Sequence, residues 1–342
     1  MSSIKEIAKK AGVSVSTVSR ALNNYTDVNQ NTRKKIIQIA QELNYFPSAV
    51  ARSLVTKRSY TIGLFFGDQV NSGFDHPFFL EVLSAVRKVA GDAGYDLLIF
   101  TNLHKKKATY TTLCRERGVD GLFLILTGDG KRKNEQLIEL QESGIPCVAI
   151  DLPLDGERCS YVESNNFLGA KKAVSYLIKL GHRKIALIGG DEVGKVSFDR
   201  LNGYRAALIE AGLEYDPQLV RYGCYSADQA KEATEALVSE NRDVTAILAV
   251  SDVMAIGAIQ RLTELGWSVP DDISVVGFDD IREASTNKPS LTTVRQCKYE
   301  MGSEAIRLLM KTIEDVSYRP SPVVIPCELI VRDSTAPPRF QK

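Results

Sequence analysis

The chain has 342 residues, 44% hydrophobic and 25% charged, with a formal net charge of +1. That length supports two or three compact units with real cores, in an ordinary globular composition. No apolar run approaches the ~18 residues of a membrane span, and Met1-Ser2-Ser3-Ile4-Lys5-Glu6 lacks the apolar core of a secretory signal.

The near-neutral total hides an asymmetry. The first 60 residues hold ten Lys and Arg against three Asp and Glu, while the other 282 hold 33 against 39. A small basic module precedes a mildly acidic body, the footprint of a polyanion-binding head. Six cysteines (114, 147, 159, 224, 297 and 327) form no Cys-x-x-Cys pair and are expected to be reduced, buried thiols of a cytoplasmic protein.

In the head, Ser3-Ile4-Lys5-Glu6 reads as a capping box opening a helix whose apolar stripe is Ile4, Ile7, Ala8 and Ala11. Gly12 supplies the positive φ that ends it, and Ser14 caps a second helix. That helix buries Val18, Ala21 and Leu22 and presents Val15, Ser16, Thr17, Ser19 and Arg20. A third helix, about Thr32 to Leu43, is expected to bury Ile36, Ile37, Ala40 and Leu43 and to show Arg33, Lys34 and Lys35. The bland alternative is a three-helix bundle with a solvated basic face. Short polar side chains on the second helix, which permit close approach to a groove, favour DNA.

Ile7-Ala8, Ala11-Gly12-Val13-Ser14, Thr17-Val18-Ser19-Arg20, Leu43-Asn44-Tyr45, Pro47 and Ala51-Arg52-Ser53-Leu54 together resemble the head motif of the lactose/galactose repressor family of bacterial transcription regulators. The resemblance runs to the C-terminus. It implies base contacts from Val15, Ser16 and Arg20, the guanidinium of Arg20 suiting guanine O6 and N7. It also implies phosphate contacts from Ser3, Thr17, Ser19, Asn23, Asn29, Thr32 and Tyr45, which fix register rather than sequence.

Ser48 to Arg58, rich in Ala, Ser and basic residues, is too short to be a stable helix alone. By itself it reads as a tether. The resemblance makes it a hinge helix that folds on operator DNA, with Leu54 and its dimer mate wedged into the minor groove.

From Tyr60 onward, apolar runs alternate with helix-length segments: 61–66, 95–100, 121–126, 146–150, 184–189, 246–250 and 273–278. Continuous apolar strands imply parallel sheets covered on both faces, hence two doubly wound α/β lobes. The resemblance, which extends to periplasmic binding proteins, places crossovers near 162 and 290. The expected organisation is an all-α helix-turn-helix head (1–46), a hinge (47–59) and an effector-binding and dimerisation body (60–342). Lobe 1 then covers about 60–161 and 291–320, and lobe 2 about 162–290 and 321–334.

Nothing in the sequence spells out catalysis. Gly189-Gly190-Asp191-Glu192-Val193-Gly194-Lys195-Val196 nearly matches a phosphate-binding loop but ends in Val196 where a magnesium-binding hydroxyl is needed, and its two acids oppose phosphate. His76, His104 and His182 make no metal-ligand spacing, no Gly-x-Ser-x-Gly elbow occurs, and no cofactor or metal is expected. By resemblance His182 sits in a structural turn.

Ligands of open α/β sheets bind at the carboxyl ends of strands. Candidates there are His76-Pro77-Phe78-Phe79, with Phe78 as the contact and Phe79 open to a plain core role, and Asp151, Arg200, Tyr225, Asp252 and Asp279. Asp252 and Asp279 read equally well as helix caps. Asn165-Asn166 stands where the family usually has Asp-Asn. Aromatic faces with carboxylates and one arginine suit a sugar, while a purine or an amino-acid-like ligand stays open.

The reading is a homodimeric, sequence-specific DNA-binding regulator: a repressor released from double-stranded operator DNA by a small carbohydrate, with no membrane partner. The alternatives are a catabolite-type regulator needing a co-repressor or protein partner, and a solute-binding receptor.

Overall fold

The computed structural model describes residues 3–23, 25–46, 58–66, 76–101, 108–126 and 131–339. Residues 47–57 of the linker, including Leu54, lie outside them. The chain divides into two units, residues 1–59 and 60–342.

In the first unit Ser3 caps α1 (Ile4–Ala11), accepting from the Glu6 amide, and Gly12 at φ 71° ends it. Ser14 caps α2 (Val15–Leu22) by accepting from Thr17 N at 3.1 Å. Each such cap supplies about 1 kcal/mol to a helix of barely two turns. α3 (Gln30–Glu42) starts two residues before the expected Thr32, because Asn29 is its cap. Ile7, Val18, Ala21, Ile36 and Ala40 form the core, with Ile39 and Leu43 against it. Ile37 is exposed, contrary to expectation. Ile36, Ile39, Ala40 and Leu43 follow the helical i, i+3, i+4, i+7 stripe, and Ile37 lies a 100° turn off it.

The second unit holds two six-stranded sheets. The first contains β1 (Thr61–Phe66), β2 (Asp96–Phe100), β3 (Gly121–Ile125), β4 (Cys147–Ile150), β5 (Cys159–Ser164) and β11 (Val323–Ile325), in the order β11-β5-β4-β3-β1-β2. Its helices are α4 (Pro77–Asp92), α5 (Tyr110–Arg117), α6 (Lys131–Glu142) and α12 (Lys298–Glu314). The second contains β6 (Ile185–Gly189), β7 (Val220–Tyr222), β8 (Ala246–Ala249), β9 (Ser274–Asp279), β10 (Thr292–Gln296) and β12 (Cys327–Ile330), in the order β12-β10-β9-β8-β6-β7. It carries α7 (Asn166–Lys179), α8 (Lys195–Glu210), α9 (Ala227–Glu240), α10 (Asp252–Glu264) and α11 (Arg282–Thr286). Every residue of β3, β4, β6, β8 and β9 is buried, which is why their sequences lack polar alternation.

The chain passes between the lobes after Ser164, after Gln296 and between Ile325 and Cys327. These crossings lie beyond the expected boundaries near 162, 290 and 320. β10 pairs with β9 and so belongs to the second lobe, while β11 pairs with β5 in the first. The second sheet also ends in an antiparallel strand, with Thr293 opposite Ile330.

One further expectation changes. Cys224 is exposed, whereas Cys114, Cys147, Cys159 and Cys327 are buried thiols. His182 is a structural tie: its ring nitrogens lie 2.9 Å from Thr245 Oγ1 and 2.9 Å from Ala336 O.

Candidate functional site

On the head, Val15 (41% exposed), Ser16 and Arg20 face solvent along α2. The structure brings them onto one surface, opposite the buried Val18 and Ala21. Ser16 Oγ lies 2.7 Å from Ser14 Oγ. Arg20 pairs with Asp27 at 2.6 Å, and its guanidinium lies 5.6 Å from the Tyr25 ring centre. Ser3 and Asn29 sit at the amino ends of α1 and α3, where unpaired amides favour a phosphate. Thr17 and Ser19 are half-buried on α2 and Thr32 half-buried on α3; Asn23 caps the end of α2 through Nδ2 donating to Ser19 O at 2.8 Å, and Tyr45 packs against the head core.

In the body, the strand ends of the two lobes supply a second group. His76 caps α4, accepting from Phe78 N at 3.3 Å. Phe78, 5% exposed, belongs to the first-lobe core. The half-buried ring beside His76 is Phe79, 5.5 Å away between centres and edge-on to Phe66 and Phe78. Residue 79 lies 100° further round α4, and packing of α4 on α12 turns Phe78 inward.

Arg200 is the centre of the second-lobe group. It is buried on α8, its Nε donating to Asn166 Oδ1 at 2.8 Å and one terminal nitrogen to Val250 O. Its guanidinium lies 3.7 Å from the centre of the Phe278 ring. A buried charge of this kind needs such partners. Asn166 Nδ2 has none. The preceding Asn165 merely caps α7 through Leu168 N at 3.0 Å, a duty that Asp or Asn performs equally.

Asp151 follows β4 with φ 53°, and its Oδ1 is buried without a partner. Burial pushes its carboxyl up to about 6, against the pull of Arg200 and the Ser164 amide, with Glu163 and Asp279 adding repulsion. Tyr225, at φ 56°, bonds Ser197 Oγ at 2.9 Å, and its hydroxyl is pushed up to about 12 by burial. Its ring lies where a side chain at Gly190 would be, 2.3 Å from that Cβ position. Asp279, at φ 125°, ends β9 and accepts from Gln296 Nε2 at 2.6 Å. Burial raises its carboxyl, while Arg200 and His76 oppose the rise. Burial lowers His76, against the pull of Asp279. Five residues hold positive φ here: Asp151, Cys224, Tyr225, Asp279 and Asp280. Backbone strain of that kind persists where function demands it.

Asp252 takes a different place. It is fully buried, and both its oxygens are used inside the second lobe, by Ile281 N at 2.8 Å and Thr293 Oγ1 at 2.5 Å. Ser251, not Asp252, caps α10. Asp252 therefore braces β8, β9 and β10. Gln296 and Lys298 join the group without a sequence signal, since neither sits in a motif. Lys298 is buried, its ammonium donating to Asp279 O at 2.7 Å and Asp280 O at 2.9 Å.

The loop at 189–196 is closed to phosphate. Asp191 Oδ1 takes the Val193 and Gly194 amides, and Lys195 is bound by Glu163 and Asp199, each at 2.6 Å. Among the described residues no cluster of His, Cys, Asp and Glu could hold a metal ion.

Residues 3–48 match the family described as bacterial regulatory proteins, lacI family, and residues 174–335 match a periplasmic binding protein-like domain. The transcriptional repressor PurR of Pasteurella multocida is 33% identical over 337 residues, covering 98% of this chain and 98% of its own. The chain belongs to the lacI family. A solved structure of the regulator CelR with cellobiose is 31% identical with a TM-score of 0.73, covering 98% of this chain and 100% of its own. The lac repressor dimer bound to operator and the anti-inducer ONPF is 27% identical with a TM-score of 0.83, covering 98% of this chain and 99% of its own. As a lacI-family protein the chain is a DNA-binding transcription regulator and not an enzyme. None of its described helices is long and apolar enough to cross a membrane.

Proposed function

We propose that this regulator is a cytoplasmic homodimeric repressor, released from a pseudo-palindromic operator when a small carbohydrate binds between the lobes. Val15, Ser16 and Arg20 read base edges, Leu54 wedges the operator centre, and Arg200, Asp151, Asp279, Tyr225 and Phe79 hold the sugar. The carrying observation is the set of buried, unsatisfied polar atoms at the strand ends: Asp151 Oδ1, Asn166 Nδ2 and Gln296 Oε1. Buried polar groups of a folded protein nearly always have partners, so three such atoms close to Arg200 and Asp279 support a ligand site there. A CelR–cellobiose complex and a lac repressor dimer bound to operator, both solved for relatives, support the two halves of the reading.

A ligand that touches Asp151 in the first lobe and Arg200 in the second couples their relative position to its own binding. If it favours an arrangement unsuited to DNA, it must weaken operator binding, and DNA must weaken ligand binding by the same factor. The test is operator affinity by fluorescence anisotropy with and without a sugar found by thermal-shift screening. Release supports the reading. Tighter binding makes the sugar a co-repressor, and a response to purine bases alone replaces the carbohydrate.

A further inference from the structure

We infer that Ser197, with Gly190 beside it, is a positioning residue that fixes the Tyr225 ring as a stacking face for the effector. The inference rests on the reading above that Tyr225 meets the effector, and it names what holds that ring in place.

Tyr225 stands in a turn that local preference would not choose. Cys224 and Tyr225 hold φ of 47° and 56°, a conformation that residues other than glycine rarely adopt. The end of β6 holds the turn there: Gly223 N donates to Gly189 O and Cys224 N to Gly190 O, each at 2.9 Å. The ring then lies against Gly190. A Cβ at that position would collide with Cζ and Cε2 of Tyr225 and with Ser197 Oγ, so glycine alone leaves room for ring and hydroxyl together.

A fixed backbone still leaves an aromatic side chain free to turn about its own torsions. The restraint on Tyr225 is at its far end, where its hydroxyl oxygen lies 2.9 Å from Ser197 Oγ. Ser197 is itself held. It is buried in the first turn of α8, and its Oγ accepts from the Asp191 amide at 3.0 Å. A serine hydroxyl keeps a donor and a second acceptor after that bond, so it can serve the phenol in either sense. Ser197 and Arg200 are three residues apart and share a side of α8, so the helix that supplies the buried cation also anchors the ring. Tyr225 remains half-buried, with Arg200 and Asp279 close enough to act on its hydroxyl. A ring preset in this way stacks on a ligand without first losing rotamer freedom, a loss that otherwise weakens binding.

The experiment uses the full chain and its variants Ser197→Ala, Ser197→Thr, Tyr225→Phe and Tyr225→Ala. Crystal structures of the ligand-free wild type and Ser197→Ala proteins read the ring directly. The ring is expected against Gly190 in the wild type and displaced, or split between rotamers, in Ser197→Ala. A ring that keeps its place in Ser197→Ala overturns the inference, whether or not any sugar binds. Calorimetric titration with cellobiose, glucose, galactose and adenine reads the consequence. For a probe that binds the wild type, Ser197→Ala and Tyr225→Phe should each weaken binding about three- to tenfold. The double variant should be no weaker than the worse single one, because both changes remove the same bond. Ser197→Thr keeps the hydroxyl and should restore affinity. Melting temperatures separate this role from a merely structural one: Ser197→Ala also strands the Asp191 amide, whereas Tyr225→Phe loses affinity without that cost. Unchanged affinity in Ser197→Ala, with affinity lost in Tyr225→Ala, overturns the inference and leaves Tyr225 in the site. Unchanged affinity in Tyr225→Ala overturns both.

Discussion

Arg20 and Asp27 form a 2.6 Å ion pair on the surface of the head, with both side chains about half exposed. The guanidinium proposed to read guanine is thus occupied in the free protein, and binding must exchange one partner for the other. Exposed pairs of this kind are worth about 0.2–1 kcal/mol. Asp27→Asn should therefore tighten operator binding by up to about fivefold per half-site. Arg20→Ala should cost about 1–3 kcal/mol and relax one base position in each half-site. Titration against an operator and single-base variants reads both, and an Asp27→Asn protein that binds more weakly would contradict the exchange.

Binding should fall steeply with salt. The first 60 residues carry ten Lys and Arg against three acids, and each neutralised phosphate releases counterions. A dimer making even six such contacts loses about a thousandfold in affinity between roughly 50 and 200 mM salt. A slope of affinity against salt near zero would rule out phosphate contacts by the head.

Asp252→Ala should destabilise the body by about 2–4 kcal/mol, since it strands the Ile281 amide and the Thr293 hydroxyl in a buried site. Urea denaturation measures this directly. Loss of effector response with no loss of stability would instead place Asp252 among the ligand contacts.

The pH dependence of effector binding follows from Asp151, whose carboxyl is held at about 6 by burial, opposed by Arg200 and the Ser164 amide, with Glu163 and Asp279 facing it. A sugar hydroxyl donates more strongly to the carboxylate than to the acid, so ligand binding favours ionised Asp151. Affinity for a neutral sugar is expected to rise as pH increases through about 6 and then to level off. In the ligand-free protein the linkage has the opposite sign. A carboxyl raised in the folded state makes its stabilising contribution at low pH and loses it as pH rises towards 6. Calorimetric titrations at pH 5 and 7.5 on wild type and Asp151→Asn test the first statement. A steep profile persisting in the variant would assign the titration elsewhere.

Local signals in the sequence determined the head and the class of the body. Ser3, Gly12 and Ser14 act within one turn of themselves, so their caps are legible without neighbours. The continuous apolar runs of β1, β3, β4, β6, β8 and β9 record burial on both faces wherever those strands end up. Arg200, Asp151, Tyr225 and Asp279 could be picked because strand ends are where open sheets bind ligands.

Only the tertiary structure decided which side chain at those ends is free. Phe78 and Phe79 are adjacent, and the rotation of α4 against α12 chose between them. Asp252 and Asp151 are both carboxylates after a strand, yet Thr293 and Ile281, 41 and 29 residues away, consume the first, while nothing in the lobe donates to Oδ1 of the second. β5, β7, β10, β11 and β12 went unread because they are short or polar, and the crossings between lobes followed from pairings such as β11 with β5 across more than 150 residues. Propensity and capping are energies of a few neighbouring residues. Hydrogen-bond satisfaction in a buried site is settled by whichever distant segment packs there.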